Sequence, residues 1–337
     1  SPVWTIEGQT AVAIMSRFFD TTEKLVGALT LIDAFFFFVI FSMIWYGFGF
    51  EVMACSVIFW GANPLVLYDY TGGAFMRQLW LVSLISGIVL FKKKKNIAGG
   101  LFISNSVGVR LFPAVFMLVP AFCFIHDWIS KREFPFRLFK FGGAAVAGFV
   151  LLATVSLFQT GGISSWQTFF ENASKHDQGI YRNHLSYRNL FIYETNKNAD
   201  DYKNTGTYYH ERWRFDKAAR VQRLKPVFNL SLLLLLGFVF FIMRKEEPEY
   251  GLYLGSFFPF LFFYPANYYA MYLLPLVFFC HRDSRLMLSL FLFSLLGFSL
   301  NVIGPFDIYN IAMSALIIFM LIYFLVWQYE NRYKLKQ

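Results

Sequence analysis

The sequence predicts an all-helical, polytopic membrane protein, and three observations predict it. The 337 residues are 57% hydrophobic and only 15% charged, against about 25% charged in ordinary soluble domains. Apolar runs such as 34–44 and 230–243 recur along the chain. The basic residues fall mostly in short clusters between those runs. A mean hydropathy of +0.49 with 44 Phe is more apolar surface than one soluble core can hide. These features exclude a soluble enzyme, a disordered tail and a disulfide scaffold.

A membrane-crossing helix needs about 20 apolar residues, fewer where it is short or the bilayer thins. The segments that qualify are 25–45, 51–67, 77–91, 97–126, 142–158, 227–243, 250–264, 267–281, 286–304 and 307–327. Short Lys/Arg-rich loops stay on the cytoplasmic side. That assigns Lys92 to Lys95, the group Lys131, Arg132, Arg137 and Lys140, then Arg244 and Lys245, Arg282 and Arg285, and the C-terminal Arg332, Lys334 and Lys336 to one side.

The stretch 97–126 decides the count. A single crossing would put the two largest basic groups on opposite faces. Two short crossings, 97–109 and 112–126, keep both inside and place Arg110 at the outer turn, with Pro113 suited to a helix start. Eleven crossings result, with the C-terminus inside. Three regions follow: an N-terminal bundle over 1–158, an outer loop over 159–226, and C-terminal helices over 227–337. The outer loop holds Trp166, Phe169, Phe170 and many Tyr, an aromatic content at odds with disorder. It is expected to fold back on the outer membrane face.

Several function classes find no support. The net charge of +9 forms no stripe of the kind a nucleic-acid binder needs. His176, His184 and His210 have no compact metal-ligand spacing. No phosphate-binding loop, dinucleotide fingerprint or nucleophile elbow occurs. Cys55, Cys123 and Cys280 lie in apolar segments and read as packing. Asn172-Ala173-Ser174 matches a glycosylation acceptor, which matters only in a secretory host. No cofactor is expected, with room left for a divalent cation. The chain begins Ser1-Pro2 without an initiator Met, so further residues upstream are an expectation.

Ionisable groups in or at the outer ends of spans carry the functional information, because burying one in lipid costs about 2.5–3.5 kcal/mol on insertion scales. They are Asp33, Asp69, Arg77 with Gln78, Arg110 and Asp307. All but Asp33 map to the outer end, where two acids and two arginines suit a phosphorylated or polyhydroxylated ligand. Each also has a plainer role: Asp69 and Asp307 as helix caps, Arg77 snorkelling to headgroups, Asp33 as an internal structural partner, and Arg110 as packing.

This layout resembles the GT-C superfamily of integral membrane glycosyltransferases, and within it the bacterial enzymes that use polyprenyl-phosphate sugars. The resemblance rests on Asn63-Pro64, the Gly72-Gly73 loop with Arg77-Gln78, and the basic turn Lys92 to Lys95 followed by Ala98-Gly99-Gly100. It extends to Arg110-Leu111-Phe112-Pro113 and to Asn267-Tyr268-Tyr269-Ala270-Met271-Tyr272-Leu273-Leu274-Pro275. It covers roughly residues 50–125 and 260–280.

It implies sugar transfer from a polyprenyl-phosphate donor to an acceptor at the outer face of a bacterial inner membrane. Arg110 would hold the phosphate leaving group, with Arg77 second and Gln78, Asn267 and Tyr268 completing the substrate site. A first-loop carboxylate would act as base on the acceptor. The chain departs from that pattern, because 1–24 holds Glu7, Asp20 and Glu23 but no paired acids. Three readings stay open: the catalytic acid lies upstream of Ser1, Asp69 takes the role, or the chain is a non-catalytic subunit scaffolding a larger membrane complex. A transporter ranks behind these, since the inner half of the bundle is Phe and Leu.

Overall fold

The computed structural model describes residues 23–66, 78–159, 162–178, 181–194, 197–205, 208–303 and 306–334. Among them the fold is all-helical, with no strand. The helices are α1 (Glu23–Phe48), α2 (Phe50–Gly61), α3 (Leu79–Lys92), α4 (Asn96–Val109), α5 (Leu118–Lys131), α6 (Phe136–Gln159) and α7 (Ile163–Gln178). They continue as α8 (Asn189–Ile192), α9 (Tyr209–Met243), α10 (Pro248–Leu254), α11 (Phe258–Phe262), α12 (Leu276–Cys280), α13 (Ser284–Ile303) and α14 (Phe306–Lys334). Short 3₁₀ turns occupy Phe112–Met117, Ala199–Thr205, Gly255–Phe257 and Asn267–Leu273.

Six described helical segments are long and apolar enough to cross a membrane: Leu31–Phe48, Phe112–Lys131, Phe136–Phe158, Tyr209–Met243, Ser284–Val302 and Ile308–Asn331. Their outward faces carry large apolar side chains in the open, such as Phe35 and Phe38 on α1, Val146 and Val150 on α6, and Leu233 and Leu234 on α9. In water such faces would be unstable, whereas hydrocarbon covers them. This is the build of a multi-pass membrane protein. Phe50–Gly61, Leu79–Lys92 and Asn267–Cys280 are apolar but shorter.

The chain divides into two compact units. The first comprises Ser1–Ile58 and Leu67–Ser174, and the second Phe59–Val66 and Lys175–Gln337. The division falls within the 159–226 segment that the sequence suggests as one loop.

Contacts fix the helix directions in the first unit. Asn105 Nδ2 donates to Ser83 Oγ (2.7 Å) and Ser106 Oγ to the Trp80 carbonyl (2.7 Å). Gly87 lies against Gly99 and Ile103. Partner numbers rise as the first numbers fall, so α3 and α4 are antiparallel around the Lys92–Lys95 turn. Gly100 packs on Phe141, Ala144 and Ala145, while Gly148 packs on Leu101 and Ser104. Here both numbers rise together, so α4 and α6 are parallel. Small residues four apart on each helix, Gly100 with Ser104 and Ala144 with Gly148, let the two backbones touch.

Parallel packing has a consequence for the chain between them. Val109 ends α4 at the far end of the pair from Phe136, where α6 begins, so residues 110–135 must run back along its length. Lys92–Lys95 and the start of α6 therefore share one end, held there by Arg137, whose Nη2 donates to the Phe91 carbonyl (2.9 Å). Phe91 and Phe141 pack beside it, their rings tilted with centroids 4.2 Å apart. Arg110 lies at the opposite end, about 21 Å away at 1.5 Å per residue of the 14-residue α4.

In the second unit, two segments expected as continuous spans are broken. Residues 250–264 divide into α10, a 3₁₀ turn and α11, and 267–281 into a 3₁₀ turn and α12. Pro259, Pro265 and Pro275 each remove a backbone donor. Nearly every side chain from Glu249 to Cys280 is buried. Irregular backbone is tolerated away from water where protein surrounds it and supplies its partners, and the burial here is of that kind. Conversely, α9 runs for 35 residues from Tyr209 and carries the expected 227–243 span on a helical extension that the polar sequence 209–226 suggests as loop.

Candidate functional site

Of the predicted site residues, Gln78, Arg110, Asn267 and Tyr268 are described. Asp69 and Arg77 lie outside the described residues, as do Glu7 and Asp20. The side chains of Glu23, His176 and Asp307 are likewise outside the description. Gln78 and Arg110 belong to the first unit, Asn267 and Tyr268 to the second.

Gln78 and Arg110 stand at the same end of the α3–α4 pair. The α4 helix stops at Val109, and Arg110 is extended (φ −146°, ψ 131°), with its N–H bonded to the Ser106 carbonyl (2.9 Å). Pro113, which lacks an N–H, falls in the first turn of the next helical segment, where no donor is needed. Ser106 in turn ties the end of α4 to Trp80 at the start of α3. Arg110 is half-buried and Gln78 fully buried.

Asp33 joins this end, a placement that the sequence left between structure and function. Asp33–Gln78 at one end and Gly47–Val89 at the other make α1 and α3 parallel. The Asp33 carboxylate is fully buried, and its Oδ1 accepts the backbone N–H of Gln78 (3.3 Å), the residue that caps α3. A carboxylate there satisfies an otherwise orphan helix donor and faces the positive end of the helix dipole. A polar group of Asp33, Gln78, Ser83, Asn105, Ser106 and Arg110 thus gathers at one end of otherwise apolar helices.

Asn267 and Tyr268 are differently engaged. Asn267 is buried, its N–H donates to the Asn183 carbonyl (2.6 Å), and its Oδ1 accepts the Tyr268 N–H (3.0 Å). They belong to a network that sequence reading missed. Asn189 Nδ2 donates to Ser314 Oγ (2.9 Å) and to the His184 carbonyl (2.8 Å), while its Oδ1 accepts from Tyr264 Oη (2.5 Å). Ser314 also accepts the Ser186 N–H (3.1 Å), and Asn310 Nδ2 donates to the Arg182 carbonyl (3.0 Å). Segment 181–192 is thereby fastened to 260–267 and α14. The only sequence signal was polar Asn310 and Ser314 one helical turn apart in an apolar helix.

Beside this network, Glu194 gathers cations. Arg220 Nη1 lies 2.5 Å from Glu194 Oε1, and Lys217 Nζ, on a side chain only 2% exposed, lies 3.6 Å from Oε2. Lys217 also donates to the Ile192 carbonyl (3.1 Å) and Arg220 Nε to the Phe191 carbonyl (2.8 Å). Partial burial pushes the Glu194 carboxyl up, but Arg220, Lys217 and Lys197 together hold it below the ordinary range. Tyr202, bonded to Asp216 Oδ2 (2.7 Å), is pushed up to about 12 by burial and then by that bond. Asp283 is held well below the carboxylate range, first by hydrogen bonds from the Arg285 side chain, against a smaller upward push from burial.

Among the described residues, no group of three His, Cys, Asp or Glu side chains converges as metal ligands. No family model, curated protein or solved structure matches the chain.

Proposed function

We propose that the chain is a membrane-embedded glycosyltransferase that moves a sugar from a polyprenyl-phosphate donor to an acceptor at the membrane face opposite the Lys92–Lys95 turn. The observation that carries this reading is the helix break at Arg110. It presents a half-buried guanidinium at the polar end of the α3–α4 hairpin, beside the start of α3 where Gln78 follows Arg77. A guanidinium in a low-dielectric setting is suited to the phosphate released as a glycosidic bond breaks. Eleven crossings with a cytoplasmic C-terminus belong to this proposal, the shorter helices α2, α3, α4 and the broken 248–280 region completing the count beyond the six long segments. Asp69 is the proposed base.

Membranes carrying the full chain and a radiolabelled polyprenyl-phosphate hexose test it. Transfer is expected from wild type and is lost in Arg110→Ala at equal expression, with Arg110→Lys retaining part. An inserted, stable protein that transfers from none of several donors refutes the reading.

One observation favours a second role, that of a scaffold subunit. Asn267 and the 181–192 segment are committed to internal hydrogen bonds, as befits a rigid framework. Co-purification of a stoichiometric membrane partner, with no transfer activity, would select it.

A further inference from the structure

The parallel packing of α4 and α6 brings together two basic clusters that are some 40 residues apart in sequence. At one end of the first unit stand Lys92, Lys93, Lys94, Lys95, Lys131, Arg132, Arg137 and Lys140, against the acids Glu51, Asp127 and Glu133. Five of these cations have internal contacts. Lys131 pairs with Asp127 (2.7 Å), Arg137 holds the Phe91 carbonyl, Lys92 lies over the Phe48 ring (3.6 Å), and Lys93 and Lys95 stand 5.1 and 5.8 Å from the centroid of the Tyr46 ring. Lys93, Lys94, Lys95, Arg132 and Lys140 remain exposed.

An aromatic cluster stands next to them. Phe134 lies at its centre, with ring centroids 5.7 Å from Phe124, 6.0 Å from Trp128, 4.8 Å from Phe136 and 5.2 Å from Phe139. Trp128, Phe136 and Phe139 are each more than half exposed, and Phe136 and Phe139 continue into the apolar outer face of α6 through Val146 and Val150. A rim of cations above exposed aromatics, themselves above an aliphatic face, repeats the layering of a lipid leaflet: phosphate, interface, acyl chain.

Backbone conformation adds an independent sign. Lys94 (φ 61°) and Arg132 (φ 53°) are the described non-glycine residues with positive φ. Both occupy left-handed positions that close helices, where glycine is favoured. Each basic turn thus keeps a cation where backbone preference alone would select glycine.

We propose that this end of the first unit binds the phosphate headgroups of anionic phospholipids. Lys93, Lys94 and Lys95 from one turn and Arg132 and Lys140 from the other form a single site, seated at headgroup depth by the Phe134 aromatic cluster. The open arrangement of the five cations and their continuity with a lipid-facing helix fit a lipid phosphate rather than a soluble one, which would need enclosing donors.

The test is native mass spectrometry of the full chain in detergent, titrated with phosphatidylglycerol and phosphatidylcholine of equal acyl length. Wild type is expected to retain phosphatidylglycerol preferentially. Each exposed cation near a membrane surface contributes about a fivefold preference. Lys93→Gln with Lys94→Gly and Lys95→Gln, and separately Arg132→Gly with Lys140→Gln, should each lower the preference by roughly tenfold or more. The glycine substitutions relieve positive φ, so thermal stability is held or raised while selectivity falls, which separates lipid loss from misfolding. Lys197→Gln with Lys203→Gln should leave selectivity unchanged, and millimolar inorganic phosphate should not displace the lipid. The proposal is overturned if wild type shows no preference, if only one of the two turns matters, or if inorganic phosphate competes as well as lipid.

Discussion

Replacing Gly100 with alanine tests the contact that orients the first unit. In an isolated helix the change is favourable by about 1 kcal/mol, because glycine is a poor helix former. At this position the added Cβ would lie 2.2 Å from the Phe141 carbonyl oxygen, 2.9 Å from Ala144 Cβ and 2.9 Å from the Ala145 nitrogen. Two of those atoms are backbone, so no side-chain rotation relieves the clash. A carbon rests about 3.3 Å or more from a carbonyl oxygen, so α4 and α6 must separate by about 1 Å. Overpacking typically costs about 1–3 kcal/mol, and a backbone clash belongs at the upper end. A net loss of about 2 kcal/mol is therefore expected after the helix-propensity gain. The comparison is Gly143→Ala on α6, where nothing lies within 4 Å of the new Cβ and the propensity gain stands alone. Equilibrium unfolding of the purified protein in detergent, followed by tryptophan fluorescence, reads both. Equal stability of the two variants would refute the parallel close approach of α4 and α6, and with it the shared basic end.

Three further outcomes follow from the same contacts. Asp33→Ala leaves the buried Gln78 N–H without its carboxylate and should cost about 1–3 kcal/mol, whereas Asp33→Asn keeps an acceptor and should cost less; the same unfolding assay compares them. Asn189→Leu removes bonds to Ser314, His184 and Tyr264, and limited proteolysis should then cut within 181–205 faster than in wild type, while cleavage of the first unit stays unchanged. Glu194 has a folded pKa below its unfolded value, so the stability it contributes is complete above the unfolded value of about 4.3 and disappears as pH falls through the lower folded value. Hydrogen exchange of 189–220 should thus be pH-insensitive after rate correction from pH 7 to about 5 and lose protection below about 4, a loss that Glu194→Gln should abolish by removing the titrating group.

Much of the local framework was legible in the sequence. Apolar runs locate α1, α6, α13 and α14, because a helix that satisfies its own backbone is what a lipid-facing segment must form. The break after Val109 was legible because charge bookkeeping disfavoured one crossing and Pro113 offered a restart. The interruption of 250–281 was not. Its prolines were visible, but an apolar run with proline can kink or break, and only burial on every side makes broken backbone tolerable. The extension of α9 through 209–226 was hidden too, since its polar composition reads as loop unless Trp213, Lys217 and Arg220 are seen packed against the 192–202 segment.

The sequence by itself determined the class of molecule, the positions of its basic turns and the helix end at Arg110, because these follow from composition and from neighbours along the chain. Only the tertiary structure decided which residues meet: Asp33 with the start of α3, Gly100 with α6, Asn189 with Ser314, and two lysine- and arginine-rich turns at one end. The physical reason is that several of these helices are apolar all round. Without a polar face opposite an apolar one, no periodic pattern marks the side that will be buried, and pairing is set by small residues and isolated polar groups whose partners lie tens of residues away.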